Sequence, residues 1–477
     1  MAYIRAMQAP LIDQTYATLP AVLHAKAELL AVAAPKLLIG NQALAHELGI
    51  DEAWLESADA AQLLSGNQPA AHQTPLAMAY AGHQFGGFNP SLGDGRAMLL
   101  GDVVHSDGTR RELHLKGSGR TQFSRGADGR ATLSAMLREY IISEAMAALG
   151  VPTTRALAVM ATGERVWRQR PEQGAVLTRV AKSHVRVGTF QYLAVRNEVE
   201  AIRILMDHEI SRHMPSVSTA QEFLAEVISR QAKLIAMWMS FGFIHGVMNT
   251  DNMQIAGETI DYGPCAFMDG FDPQKVFSSI DENGRYAYDK QPMIALWNLT
   301  RLAECLLPLL DDDKAAAIKI AETELQKFMP QFEAAFEQRM LAKLGIDDVS
   351  QPTFIAVTLQ HMANARADFT QFFTSLTRGE NMEQFFISNL AHDAWHAQWT
   401  SLKAANATAL MRAHNPVYIA RNHRVAEALA AAEQGDLALF NRLLRAIQTP
   451  FTAQDDLKDL EAAPLPQEEV LQTFCGT

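Results

Sequence analysis

The spacing of apolar residues changes character near residue 190. Ahead of that point, short apolar runs alternate with turns. Met98 to Val104 and Arg111 to Lys116 are two such runs, and Asp107-Gly108 between them predicts a β-hairpin. A second hairpin is predicted with its turn at Thr162-Gly163-Glu164, between Ala156 to Ala161 and Arg165 to Trp167. Ala131 to Leu149 reads as an amphipathic helix that stops at Gly150, with Pro152 beyond it. Residues 1–75 read as mainly helical, with loops. From residue 191 the pattern is mostly helical, with Glu198 to Met206 and Phe223 to Phe241 as strong segments. A loop region from Gly242 to about Asp289 follows, and helices resume at Met293. The prediction is an α+β chain: a mixed part over 1–190, then a helical part over 191–477. No internal repeat or low-complexity linker interrupts it.

Composition narrows the class. Hydrophobic residues make up 48% of the 477 residues and charged residues 20%, enough for a sizeable soluble core. The net charge of -12 repels polyanions and disfavours a nucleic-acid partner. Three cysteines, Cys265, Cys305 and Cys475, do not make a disulfide framework, so reduced, cytoplasmic chemistry is expected. Met1 to Pro10 lacks an apolar signal core. No uninterrupted run of ~18 apolar residues is present, so no membrane span is expected.

Residues that carry chemistry gather on either side of the junction. Gly86 to Arg96 holds Gly93, Gly95 and Arg96: glycines let backbone N–H groups approach a phosphate, and an arginine adds a charge-assisted contact. A tight turn between strands explains the same composition equally well. Lys116 ends a strand and Glu139 sits on the following helix, the order of the strand-lysine and helix-glutamate pair of protein kinases. Between them, residues 117–130 carry four glycines and three arginines, a basic loop suited to a polyphosphate or simply to solvent. Arg179 and Arg186 offer charge to a triphosphate, with exposed strand-end cations as the plain alternative.

The strongest signal is Gly242 to Asn252 followed by Ile260-Asp261-Tyr262-Gly263-Pro264. His245 and Asn252 keep the His-to-Asn spacing of a kinase catalytic loop, and Asp-Tyr-Gly stands where Asp-Phe-Gly would. Asn252 and Asp261 supply oxygen ligands of the kind Mg²⁺ prefers. Val247 occupies the position of the kinase catalytic aspartate, and Asp251 is the nearest replacement base. His392 and His396 have metal-compatible spacing, but with no third ligand they read as core or surface histidines. Phe372, Phe373, Phe385 and Phe386 read as helical core.

Taken together, the residues resemble the selenoprotein O family, called YdiU in bacteria. The motifs are Tyr80-Ala81-Gly82-His83-Gln84-Phe85-Gly86, Leu92-Gly93-Asp94-Gly95-Arg96, Leu115-Lys116-Gly117-Ser118-Gly119, Ser183-His184-Val185-Arg186, His245 to Asn252 and Asp261 to Pro264. Asn415-Pro416 and Arg421-Asn422 also fit. The resemblance implies a protein-kinase-like, two-lobed fold. It implies ATP held in a flipped orientation, with AMP passed to Ser, Thr or Tyr hydroxyls of proteins and pyrophosphate released. By position, Gly93, Gly95 and Arg96 would contact the nucleotide, and Lys116, oriented by Glu139, would bind phosphate. Asp128 and Gly129 would belong to an inserted nucleotide-holding loop, and Arg179 and Arg186 would clamp phosphates. Asp251 would accept the hydroxyl proton; Asn252 and Asp261 would hold Mg²⁺, with Asp261 also close to the phosphates. Cys475 resembles the family's C-terminal redox residue, but Phe277 stands where a partner cysteine occurs in some members, and Cys265 lies closer to Asp261. Transfer of UMP from UTP with Mn²⁺ and an inactive ATP-binding pseudokinase scaffold are the alternatives. A true kinase is disfavoured by Val247.

Overall fold

Period-two alternation in the first part of the chain produces one antiparallel sheet. The computed structural model describes residues 9–70, 73–105, 108–347 and 350–474, and within them this sheet has nine strands. β1 (Ile12–Asp13), β2 (His24–Lys26) and β3 (Lys36–Gly40) precede short helices α1 (Gln42–Glu47), α2 (Glu52–Leu55) and α3 (Ala58–Leu64). β4 (Leu76–Met78) is followed by a separate small hairpin, β5 (Gly82–Gln84) with β6 (Gly87–Asn89). β7 (Ala97–Val104), β8 (Arg110–Lys116), β9 (Ala131–Thr132), helix α4 (Leu133–Ala148), β10 (Arg155–Trp167) and β11 (Pro171–Ala181) complete this part. The strand order is β2-β4-β7-β8-β11-β10-β3, with β1 on β7 and β9 on β11.

Alternation sorts side chains between two layers. On one face, Leu44, Trp54 and Leu63 of the short helices pack with Met98, Leu113, Leu115 and Val176. On the other, Leu99, Val159 and Leu177 pack with Met136, Leu137 and Tyr140 of α4. Since Leu113 and Leu115 face the first layer, His114 and Lys116 of the same strand face the second. β8 and β11 pair with Leu177 opposite Lys116 and Arg179 opposite His114, which puts Arg179 on that same face.

The hairpin expected around Asp107-Gly108 forms, pairing Ala97 with Lys116 through to Val104 with Arg110; Asp107 itself lies outside the described residues. The turn expected at Thr162-Gly163-Glu164 does not form. β10 runs through it as one long strand with a register irregularity between Ala161 and Arg165, and the chain reverses at Arg168 to Arg170 instead. Gly163 has φ 73°; a bulge and a turn both draw on a glycine at positive φ, which is why the sequence signal is ambiguous. Residues 1–75 are less helical than expected, since β2 and β3 join the sheet. Helix α4 begins two residues later than predicted because Ala131 and Thr132 pair with β11, and the Thr132 side chain caps it by accepting from the Ala135 amide.

The rest is helical. α5 (Val187–Ala194), α6 (Val199–His213) and α7 (Ala220–Ser240) lead to the short pair β12 (Phe243–Ile244) and β13 (Ala266–Phe267). Then come α8 (Gln291–Leu310), α9 (Lys314–Leu325), α10 (Phe328–Leu344), α11 (Pro352–Ala365), α12 (Phe369–Arg378), α13 (Asn389–Leu402), α14 (Ala407–His414), α15 (Asn422–Glu433) and α16 (Ala438–Gln448). Thr219 and Glu222 form a capping box at the start of α7, whose Phe223, Leu224, Val227 and Ile228 are buried. Among the described residues one helix, Tyr288–Leu310, is by length and composition apolar enough to cross a membrane. It carries Asn298, Arg301 and Glu304, and it packs on α5, α7 and α9 with Leu299, Leu302 and Leu306 buried. Phe372, Phe373, Phe385 and Phe386 are core residues, as expected. The last helices, α15 and α16, return to pack against α4.

Candidate active site

Three elements, together with the loop between β12 and β13 that carries Asp261, bring four charges to one point. Lys116 arrives on β8, Glu139 on α4 and Arg179 on β11. The Lys116 Nζ donates to Glu139 Oε2 and to Asp261 Oδ1, each at 2.6 Å. The Arg179 guanidinium donates to Glu139 Oε1 at 2.8 and 2.5 Å and to Asp261 Oδ1 at 2.6 Å. Two cations and two carboxylates therefore balance in a site where Arg179 is 2% exposed. Burial alone would raise both carboxyls. Arg179 and Lys116 outweigh it at Glu139, and Lys116, Arg179 and Arg186 hold Asp261 well below the usual carboxylate range. Arg179 is thus no exposed strand-end cation, and neither is Arg186, which is 3% exposed. Arg186 stacks its guanidinium 4.3 Å from the Tyr80 ring centre, donates to the Asp251 carbonyl at 3.3 Å and lies 3.8 Å from Asp94 Oδ1.

The catalytic-type loop is held from behind. His245 is buried, stacks on Trp238 and, through Nε2–H, donates to the Ile260 carbonyl at 2.8 Å, one residue ahead of Asp261. Burial keeps its ring below the ordinary histidine range. Gln291 accepts from the His245 amide, and Asn298 donates to the Met248 carbonyl at 2.9 Å, so α8 braces the loop. Asn252 Nδ2 donates to the Val247 carbonyl at 3.0 Å, closing the loop on itself. Asp251 faces the cleft from this loop; burial pushes its carboxyl up to about 6.

The glycine-bearing loops are built for close packing. A Cβ at Gly93, whose φ is 64°, would collide with the Phe123 ring, and one at Gly95 would stand 2.8 Å from the Phe123 carbonyl oxygen. These glycines let loop 117–130 lie directly on loop 90–96. Gly129, with φ 68°, does the same against the Gly119 carbonyl. Asp128 accepts from the Arg130 amide at 2.9 Å and from Arg168 at 2.8 Å. Asp94 anchors the loop from below, accepting from the Met78 amide at 3.1 Å and from His114 Nε2–H at 3.0 Å.

A cavity of about 970 Å³ runs between the sheet and the helical part. Gly93, Gly95, Arg96, Lys116, Asp128, Gly129, Glu139, Arg179, Arg186, Asp251, Asn252 and Asp261 all line it. Tyr80, Gln84, Asp94, His114 and Asn249, to which sequence reasoning gave no individual role, line the same space. Tyr80 and Gln84 sat in a recognised motif, but only the fold shows that they touch Arg186 and Asp251. Among the described residues no set of three His, Cys, Asp or Glu side chains is arranged for a metal ion. Asn252 and Asp261 nevertheless fit one by chemistry: they are hard oxygen donors lining the same cavity, and Mg²⁺ ordinarily takes only one or two carboxylates from protein. His392 and His396 stack on each other at 5.5 Å, away from this cavity lining. Burial pushes the Cys265 thiol up to about 12, too high for a reactive thiolate. Phe277 is buried and its carbonyl accepts from the Thr473 amide at 2.8 Å; Cys475 lies outside the described residues.

A sheet-and-helix cleft that brings a buried Lys–Glu pair together with an Asn/Asp pair from the catalytic-type loops is the site of a nucleotide-dependent transferase. A family model described as "Protein adenylyltransferase SelO" matches residues 15–448. A "Protein nucleotidyltransferase YdiU" of Bradyrhizobium sp. (strain ORS 278) is 52% identical over 485 residues, covering 98% of this chain and 99% of the relative. Proteins of the same description from Rhodopseudomonas palustris (strain BisB5) and Cereibacter sphaeroides (strain KD131 / KCTC 12085) are 51% and 52% identical, covering 98% and 94% of this chain and 99% and 95% of theirs. The chain belongs to the SelO family of protein nucleotidyltransferases.

Proposed function

We propose that this chain, on a protein-kinase-like two-lobed scaffold, transfers AMP from ATP to Ser, Thr or Tyr hydroxyls of proteins. The acceptor oxygen attacks the α-phosphorus, the bond from that phosphorus to the bridging oxygen breaks, and pyrophosphate leaves. Asp251 takes the acceptor's proton. Lys116, oriented by Glu139, and the arginines Arg179 and Arg186 receive the phosphates, with Gly93, Gly95 and Arg96 along one side and Asp128 and Gly129 shaping the loop above. Asn252 and Asp261 would hold a divalent cation, which supplies charge neutralisation to the phosphates when bound.

One observation carries this reading. The cavity that Lys116 and Glu139 line also bears a carboxylate at Asp251, while the kinase position Val247 has none. A general base displaced along the loop serves an acceptor placed differently from that of a kinase. Asp251→Ala is expected to keep ATP binding by calorimetry and to lower transfer by about 10²–10⁴-fold. Mass spectrometry of the modified protein reads the adduct. An adenylyl adduct supports the reading, a uridylyl adduct from UTP moves it to the other nucleotide, and a phosphoryl adduct overturns it.

A further inference from the structure

Asp251 has two unequal oxygens. Oδ2 accepts from Gln84 Nε2 at 3.1 Å. Oδ1 is buried and has no hydrogen-bond partner among the described residues, although an unpaired buried acceptor is costly. The residue is 7% exposed and borders the cavity, with Oδ1 packed against Gly82. Gln84 borders the same cavity.

The element that carries Gln84 is fastened to the loop that carries Asp251. The β5–β6 hairpin turns on Phe85 and Gly86, at φ 52° and 88°, and positive φ at both central residues is what a tight two-residue hairpin requires. A phenylalanine there is strained, and such strain persists only where surroundings enforce it. Here the Phe85 amide donates to Asn249 Oδ1 and to the Tyr286 hydroxyl, each at 3.2 Å. The His83 amide donates to Thr250 Oγ1 at 2.7 Å. Asn249 and Thr250 immediately precede Asp251. Gly82 completes the fit, since a Cβ there would collide with Asp251 Oδ1. Strand alternation then leaves Gln84 on the Asp251 side while His83 turns to Phe88 and Trp297.

We infer that Gln84 is a positioning residue: its amide holds Oδ2 and so fixes the orientation in which the Asp251 carboxylate, its Oδ1 seated against Gly82, meets the acceptor hydroxyl. The inference rests on the reading of Asp251 as the base. Gln84 does not titrate and touches no phosphate-binding side chain described above, so its loss should appear in turnover and not in ATP binding.

The test is Gln84→Met, which keeps length and removes the donor, measured as kcat, KM for ATP, calorimetric ATP affinity and melting temperature. Gln84→Leu serves as a second variant of similar size that likewise has no donor. The expected result is a fall in kcat of about tenfold to 10²-fold, the scale of a misplaced reacting group, with KM for ATP, affinity and melting temperature unchanged. Added to Asp251→Ala, Gln84→Met should lower the residual rate no further, since Gln84 acts only through Asp251. Wild-type turnover in both Gln84 variants beside a dead Asp251→Ala overturns the inference and leaves the function intact. A further loss in the double variant shows that Gln84 acts on the substrate directly and also overturns it. Full activity in Asp251→Ala fails the reading beneath it.

Discussion

Asp261 accepts hydrogen bonds from Lys116 and Arg179 while its backbone sits at φ 65°, a left-handed conformation that costs a non-glycine residue about 1 kcal/mol or more. Two charge-assisted bonds offset that cost, and the turn points the carboxylate back at the sheet. Not every buried charge is compensated in this way. Lys343 is 2% exposed, and its Nζ lies 4.2 Å from the Phe373 ring centre, near Phe241 and Phe369, with no carboxylate in ion-pair range among the described residues. Burial, then the Arg339 charge, holds its ammonium well below the ordinary lysine range. A desolvated cation–π contact returns only about 2 kcal/mol of a burial cost of several. Lys343→Met should therefore stabilise the fold at neutral pH by roughly 1–3 kcal/mol. The sign with pH follows from linkage. The native state holds this proton less tightly than the unfolded chain, so the wild type gains stability as pH rises towards the ordinary lysine value of ~10.4 and loses it as pH falls through the depressed one. Denaturant melts at neutral and alkaline pH should show the advantage of Lys343→Met shrinking as pH rises; a constant or growing advantage would show that Lys343 is not strained by its charge.

Helix α4 carries Glu139 and is gripped on two sides. The sheet holds it through β10 and β11, and α15 and α16 pack on it from the helical part. Phe440 of α16 is fully buried, its ring 6.1 Å from Tyr140, the residue after Glu139. Phe440→Ala should cost about 3–5 kcal/mol and lower transfer well below the melting temperature, because α4 loses one wall of its seat. Thermal melts paired with turnover check this, and full turnover after a large loss of stability would show that α4 is placed by the sheet alone. Elements of this kind were legible to different degrees. Helix α4 and the β7–β8 pair announced themselves by period and by terminal glycines. The long strand β10 did not, because Gly163 marks a bulge with the residue type of a turn. The β5–β6 hairpin was hidden as well: its turn uses Phe85, a residue that no turn preference selects.

At the scale of the molecule, the cleft joins residues from Tyr80 to Phe474. Sequence order exposed the parts that kinases share in order, namely Lys116, Glu139, Asn252 and Asp261. It could not expose Asp94 with His114, or Gln84 with Asp251, because those pairs are made by long-range packing. It also suggested that Gly93 and Gly95 are there for phosphate approach, whereas each is also required by the close fit of Phe123. Everything proposed for this cleft turns on which phosphorus the acceptor attacks, and the α-phosphorus is the one assigned. The deciding experiment incubates the protein, a protein mixture and Mg²⁺ with ATP labelled at either the α- or the γ-phosphate and reads label bound to protein. Label from the α-position alone is expected, with labelled pyrophosphate released from γ-labelled ATP. Label from the γ-position alone would contradict this and make the cleft a kinase that works without a carboxylate at Val247.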